Sequence, residues 1–223
     1  MVKAKRKPLE EIKEAISGYT HILNIGCGGC VSVCLAGGQR EVNELNMVLK
    51  LHNKKDKTSQ RIEGYTVERQ CNETFLEELE SMISPYDCII SMACGAGVQN
   101  LAARFPGIPI FPAVNTMAIG IDRDLGMYEE KCKACGHCVL GYTGGICPVT
   151  RCAKSLFNGP CGSPKNGMCE ISAQVPCAWY DIYTRLKEQN RLDDIRKIQP
   201  PMEWQNQTPR TIIQEAYEKR YRI

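Results

Sequence analysis

The chain has 223 residues, of which 43 % are hydrophobic and 24 % charged, the balance of an ordinary globular protein. Its net charge of +3 is too small to indicate a nucleic-acid partner, and no apolar stretch approaches the roughly 20 residues of a membrane span. We expect a cytoplasmic protein that neither inserts into a membrane nor carries a signal peptide, because Pro8 and charged residues follow the basic amino end. The basic run itself is predicted to be a solvated tail (Lys3, Lys5, Arg6, Lys7).

The first 120 residues alternate between helical and strand patterns. Apolar spacing predicts helices over residues 8–17, 41–52, 74–83 and 98–105. Short apolar runs predict strands over 20–25, 62–67, 87–92 and 108–114, the last an edge strand because Pro109 and Pro112 interrupt it. This order predicts an α/β fold, a small Rossmann-like parallel sheet covered by helices.

The rest of the chain lacks this alternation. Residues 131–177 are rich in Cys, Gly and Pro, so we expect them to be organised around metal rather than around a large core. Helices are predicted over 179–189 and 212–221. We therefore predict three parts: an α/β cluster-binding domain (1–120), a cysteine-rich, ferredoxin-like metal-binding domain (121–178), and a carboxyl-terminal helix and tail (179–223) that docks either on a partner or on its own domain.

Fourteen cysteines are the main departure from ordinary composition. In a chain without an export signal they are expected to be reduced, and cysteines three residues apart aim several thiolates at one metal centre. We therefore expect metal centres rather than disulfides.

The first group of cysteines follows successive strands. Cys27 and Cys30 lie in a glycine-rich turn after the first of the parallel strands, Cys71 follows the second, and Cys94 follows the third. Because the carboxyl ends of parallel strands meet at one rim, these thiolates are predicted to hold one [4Fe–4S] cluster. Cys34, one helical turn after Cys30, is either a fifth candidate ligand or a buried thiol.

The second group is Cys132-x2-Cys135-x2-Cys138-x8-Cys147-Pro148, whose opening triple matches the cluster loop of bacterial ferredoxins. Four more cysteines follow it (Cys152, Cys161, Cys169, Cys177). Eight thiols can hold two four-iron clusters, or one cluster and a zinc ion. We predict that Cys177 completes the triple and that Cys147 joins Cys152, Cys161 and Cys169. The whole chain would then hold two or three [4Fe–4S] clusters, with zinc replacing one as the alternative.

The order of these motifs resembles one family. The motifs are Cys132-Lys-Ala-Cys-Gly-His-Cys138, Cys147-Pro-Val-Thr-Arg-Cys152, Asn158-Gly-Pro-Cys-Gly162, Gly167-Met-Cys-Glu170 and the segment from Cys177 to Leu186. With the Gly-Cys-Gly-Gly-Cys and Ala-Cys-Gly-Ala-Gly elements nearer the amino end, residues from about 8 to 205 resemble the small iron–sulfur subunit (MetV type) of methylenetetrahydrofolate reductase in acetogenic and other anaerobic bacteria.

The resemblance implies a role in electron transfer and no catalytic residue in this chain. In that family a separate flavin-containing catalytic subunit binds the folate, and the small subunit links the flavin to ferredoxin or to an electron-bifurcating or membrane-linked assembly. Two alternatives stay open: a zinc or iron–sulfur scaffold that only stabilises the reductase, and a stand-alone enzyme whose substrate binds an open iron.

Overall fold

The structure, a computed structural model, describes residues 1–162, 164–204 and 211–221. It contains two compact units, Met1–Glu130 and Lys131–Ile223. Part of the predicted docking tail, residues 205–210 and 222–223, lies outside the described residues. The three-part division stays a prediction.

The first unit begins with strand β1 (Val2–Arg6), helix α1 (Leu9–Ala15), strand β2 (His21–Cys27), helix α2 (Cys30–Val33), helix α3 (Gln39–Asp56) and strand β3 (Arg61–Val67). It continues with a 3₁₀ helix (Thr74–Leu79), strand β4 (Cys88–Ser91), helix α4 (Gly95–Arg104), and strands β5 (Ile110–Pro112), β6 (Val114–Asp124) and β7 (Met127–Cys132), the last running into the second unit.

Four of these strands form a parallel sheet in the order β3-β2-β4-β5. The predicted α/β fold is therefore confirmed, and β5 lies at the edge, as its two prolines indicate. Strand β2 is central, with Cys27 opposite Val67 of β3 and Ile25 opposite Ser91 of β4. The carboxyl ends of these three strands therefore lie side by side.

Helices cover both faces of this sheet. On one face α1 and α3 bury a core with Ile16, Val42 and Leu49 against Ile22 and Ile90. On the other face the 3₁₀ helix and α4 bury a second core. Its fully buried members include Leu23, Leu76, Leu79, Ile89 and Leu101. Two covered faces explain why the central strands β2 and β4 are buried almost throughout rather than on alternate residues.

The predicted solvated tail is wrong. Residues of the basic run form β1, which pairs antiparallel with β6 in a second sheet of order β1-β6-β7. Lys3 is only 3 % exposed, because its ammonium group pairs with Asp122 and lies 4.5 Å from the ring centroid of Tyr128. A lysine can be buried when a carboxylate compensates its charge. The partner here, Asp122, lies far away in the sequence, so the basic run alone does not reveal it.

The helix predicted over residues 74–83 is also only partly right. The segment forms a 3₁₀ helix that ends at Leu79 and continues as turns, although Leu76, Leu79 and Ile83 are buried as expected. Glu80 directly follows the last residue of the 3₁₀ helix, where the negative end of the helix dipole makes a carboxylate unfavourable.

The second unit has short elements around two small cores. Its described elements include α5 (Pro148–Arg151), a hairpin of β8 (Met168–Cys169) and β9 (Ser172–Pro176), α6 (Ala178–Glu188) and α7 (Glu218–Tyr221). Among these described elements α6 alone exceeds two helical turns, and the predicted helix over 179–189 is confirmed. The helix predicted over 212–221 is shortened to a 3₁₀ turn at Glu215–Tyr217 followed by α7. In the described portions of both units, no helix combines the length and apolar character needed to cross a bilayer.

Candidate metal centres

Three cysteines meet at the rim of the parallel sheet. Cys27 is the last residue of β2, Cys71 lies in the turn after β3, and Cys94 immediately precedes α4, in the turn after β4. Burial raises the pKa of Cys27; the backbone amides of Gln70 and Gly29 lower it, and the charges of Cys71 and Cys94 raise it further. Because β3, β2 and β4 are neighbouring parallel strands, the three cysteines follow adjacent strand ends, as the strand order predicts.

A buried glutamine connects the three strand ends. Gln70 is fully buried, and its Nε2 donates to the carbonyl oxygens of Ile25 (2.9 Å) and Gly26 (3.1 Å) at the end of β2. Its Oε1 accepts a 2.6 Å hydrogen bond from the Ser91 hydroxyl at the end of β4. Asn100 of α4 donates to the Gln70 carbonyl oxygen at 3.0 Å. Gln70 is therefore positioned to fix the relative places of the segments that carry the three cysteines.

Two glycines allow the backbone to approach this site. A Cβ atom at Gly97 would lie 2.9 Å from the Gln70 Cβ and 3.6 Å from the Cys71 nitrogen. A Cβ atom at Gly29 would lie 3.6 Å from the Cys27 sulfur and 3.2 Å from the Arg69 side chain. The space and the amides beside the thiols are what an anionic sulfur-rich cluster requires.

The remaining cysteines of the first unit occupy different environments. Cys30 begins α2 and is partly exposed. Cys34 is 4 % exposed, and its sulfur accepts a hydrogen bond from the Ala4 amide at 3.4 Å. Of the two interpretations left open for Cys34, this contact with β1 favours the buried thiol. Cys88 begins an apolar strand, which predicts a core residue, and it is fully buried; burial together with the nearby Asp87 raises its pKa to about 12.

The donor set at the rim fits an iron–sulfur cluster in chemistry, since thiolates from Cys27, Cys30, Cys71 and Cys94 would supply four ligands. Within residues 1–162, 164–204 and 211–221, no three or more His, Cys, Asp or Glu side chains already have a metal-binding arrangement.

In the second unit the ferredoxin-like triple forms an exposed turn. The Ala134 amide donates to the Cys132 sulfur at 3.3 Å, and Ala134 and Gly136 both have positive φ, a conformation typical of tight turns. Cys135 packs with Cys147 against one small core of Val139, Val149 and Met202, whereas Cys138 is exposed.

The other four cysteines lie farther along the same unit. Cys152 and Cys177 pack against a different core, formed by Ile146, Trp179, Ile182 and Leu186. Cys169 ends β8 and is partly buried, whereas Cys161 is exposed. None of the fourteen cysteines forms a disulfide.

Comparison with known proteins bears on this second unit. Residues 111–205 match the model of a family described as methylene-tetrahydrofolate reductase C terminal. The match links the chain to methylenetetrahydrofolate reductase and contains all eight cysteines from Cys132 to Cys177, whereas the rim cysteines precede it. It spans less than half of the chain, so the similarity expected from residue 8 onward is supported only in this part. Comparisons with the curated proteins and with the solved structures gave no match.

Sequence reasoning missed the residues that support the rim. Gln70 and Ser91 are ordinary polar residues in the sequence and belong to no motif. The only indication of Gln70 is its place directly before Cys71, whereas its four hydrogen-bond partners come from three distant segments.

Proposed function

We propose that this chain is a cytoplasmic iron–sulfur electron-transfer subunit of a methylenetetrahydrofolate reductase complex. It would pass electrons between an external donor, a ferredoxin or an electron-bifurcating or membrane-linked assembly, and the flavin of a separate catalytic subunit. The observation that carries the proposal is the combination of the reductase-related match over residues 111–205 with thiols gathered at a sheet rim outside that match.

The proposed division of labour follows from the chemistry of the residues. A bound iron–sulfur cluster would supply one-electron transfer, which suits a flavin that accepts two electrons in separate steps. The chain itself would set the reduction potential through burial of Cys27 and through the amides of Gly29 and Gln70. Those amides stabilise negative charge on sulfur, and negative charge increases when a cluster is reduced.

The test begins with protein purified without oxygen, alone and with its flavin-containing reductase subunit. We expect iron and acid-labile sulfide in the chain, and flavin reduction by chemically reduced ferredoxin that depends on its presence. Cys71→Ser and Cys94→Ser should each slow flavin reduction at least tenfold and change the same electron paramagnetic resonance signal.

Cys88→Ala is the matched control, because Cys88 is a buried thiol of the same sheet that faces the core. It should retain the iron content and the rate of flavin reduction. Fully effective flavin reduction by material free of iron and sulfide would refute electron transfer through this chain.

The scaffold alternative has its own support in the second unit. Its two small cores include partly buried cysteines among their packing partners, the arrangement in which bound metal contributes to folding. Zinc without iron, together with a more stable reductase and no change in its reduction rate, would favour this alternative.

A further inference from the structure

The eight cysteines of the second unit fall into two sets that differ from the grouping predicted by sequence. Helix α5 has Cys147 at its amino end and Cys152 at its carboxyl end. Cys147 packs with Cys135 against one core, and Cys152 packs with Cys177 against the other. This four-residue helix therefore separates two thiols that the sequence pattern predicts to be ligands of the same metal site.

The first set is connected through Thr150. Its hydroxyl group lies 3.3 Å from the Cys147 sulfur and 3.3 Å from the Lys131 carbonyl oxygen, which belongs to the residue before Cys132. The start of the ferredoxin-like triple is thereby held beside Cys147. Cys147 also precedes a proline, as the fourth cluster ligand of bacterial ferredoxins does.

The second set is connected by four contacts around the start of α6. On the Cys152 side, Arg151 pairs with Asp181 of α6 at 3.1 Å, and the Trp179 indole donates to the Leu156 carbonyl oxygen at 2.7 Å. On the Cys169 side, Lys154 forms an ion pair with Glu170.

The fourth contact joins the hairpin to α6: the Cys177 amide donates to the Gly167 carbonyl oxygen at 2.9 Å. The chain segments carrying Cys152, Cys169 and Cys177 are thus tied to one another.

The loop that carries Cys161 is held on both sides. Before it, the Asn158 side chain makes hydrogen bonds of 2.8 and 2.7 Å with the backbone of Gln199. After it, Lys165 pairs with Met168, the neighbour of Cys169. At Lys165 the chain therefore lies beside the hairpin that presents Cys169.

We infer that Cys152, Cys161, Cys169 and Cys177 form one four-thiolate metal site, distinct from a site of Cys132, Cys135, Cys138 and Cys147. The ligand is a thiophilic metal centre, either Zn²⁺ or an iron–sulfur cluster. The inference concerns ligand grouping, so it does not depend on electron transfer to a flavin.

Double substitutions in the full chain test the grouping, because removing two ligands of one site destroys no more than removing one, whereas losses at separate sites add. Metal and sulfide per chain are measured after purification without oxygen. Cys152→Ser with Cys177→Ser should lose only the one centre that either single variant loses. Cys147→Ser with Cys152→Ser should lose two centres, and Cys88→Ala should lose none. Additive loss in the first pair, or the loss of a single centre in the second, overturns the inference.

A second measurement needs no substitution and so does not depend on variants that fold. The wild-type protein is treated with increasing chelator and then alkylated, and reactive cysteines are located by mass spectrometry. We expect Cys152, Cys161, Cys169 and Cys177 to become reactive in one step, separate from the other set. Reactivity that appears in mixed groups refutes the assignment.

Metal analysis in the same samples identifies the centre. Zinc at this site would leave the grouping intact while excluding the site from electron transfer. Iron with sulfide there, without any flavin reduction, would uphold the grouping and refute the proposed function.

Discussion

Replacing Gln70 with methionine should weaken the fold and loosen the cysteine rim at the same time. Methionine keeps the length and flexibility of glutamine but can neither donate to the Ile25 and Gly26 carbonyl oxygens nor accept from Ser91. The Ile25 carbonyl oxygen retains a second donor, the Met92 amide at 2.8 Å. The Ser91 hydroxyl loses its acceptor inside a fully buried environment.

The expected cost follows from these bonds. Three hydrogen bonds are removed, and buried groups left without partners cost more than the bonds alone, so we expect a loss of about 2–4 kcal/mol in the free energy of unfolding. Urea denaturation of the metal-free chain, followed by circular dichroism, measures this loss. Hydrogen–deuterium exchange should rise in peptides that cover residues 68–72 and 92–96.

Asn46→Leu is the matched control, because Asn46 is also a buried polar residue and accepts a 2.8 Å hydrogen bond from Asn24 in the middle of β2. It should lower stability without raising exchange at the rim. The reasoning would be refuted if Gln70→Met cost less than about 0.5 kcal/mol, or if both variants raised exchange at the rim equally.

Three further outcomes are expected. Hydrogen bonds from the Thr20 hydroxyl and from the backbone amides of residues 20 and 21 lower the pKa of Asp87 from 3.8 to about 2. The stabilisation is present above pH 4 and is lost as the pH falls toward 2. In acid-unfolding curves the stability difference between wild type and Asp87→Ala should therefore shrink over that interval, and a constant difference would contradict this prediction. Gly97→Ala should cost about 1–3 kcal/mol, because its Cβ would lie 2.7 Å from that of Ala93, whereas Gly107→Ala, which has open space, should change urea midpoints little. Trp179→Phe should lower the free energy of unfolding by about 1 kcal/mol, because it loses the indole hydrogen bond to the Leu156 carbonyl oxygen. It should also raise protease cleavage after Lys154, and unchanged cleavage would argue against a role of this hydrogen bond in holding the segment.

The family match and the cysteine rim lie in different parts of the chain. The match covers residues 131–205 of the second unit together with the last part of the first, and the second unit has short elements and two small cores. The rim belongs to the first unit, where a regular sheet already places thiols close together. A cluster at the rim would thus bind to a preformed framework, whereas metal in the second unit would contribute to folding.

Sequence alone predicts the parallel sheet, the core position of Cys88 and the placement of Cys27, Cys71 and Cys94 at neighbouring strand ends. These follow from local apolar patterns and from the rule that neighbouring parallel strands end at one edge. Only the folded structure shows the burial of Lys3 in β1, the hydrogen bonds made by Gln70, and the packing of Cys147 and Cys152 against different cores. Each depends on a partner far away in the chain, such as Asp122 for Lys3, and periodicity along a single segment carries no information about such partners.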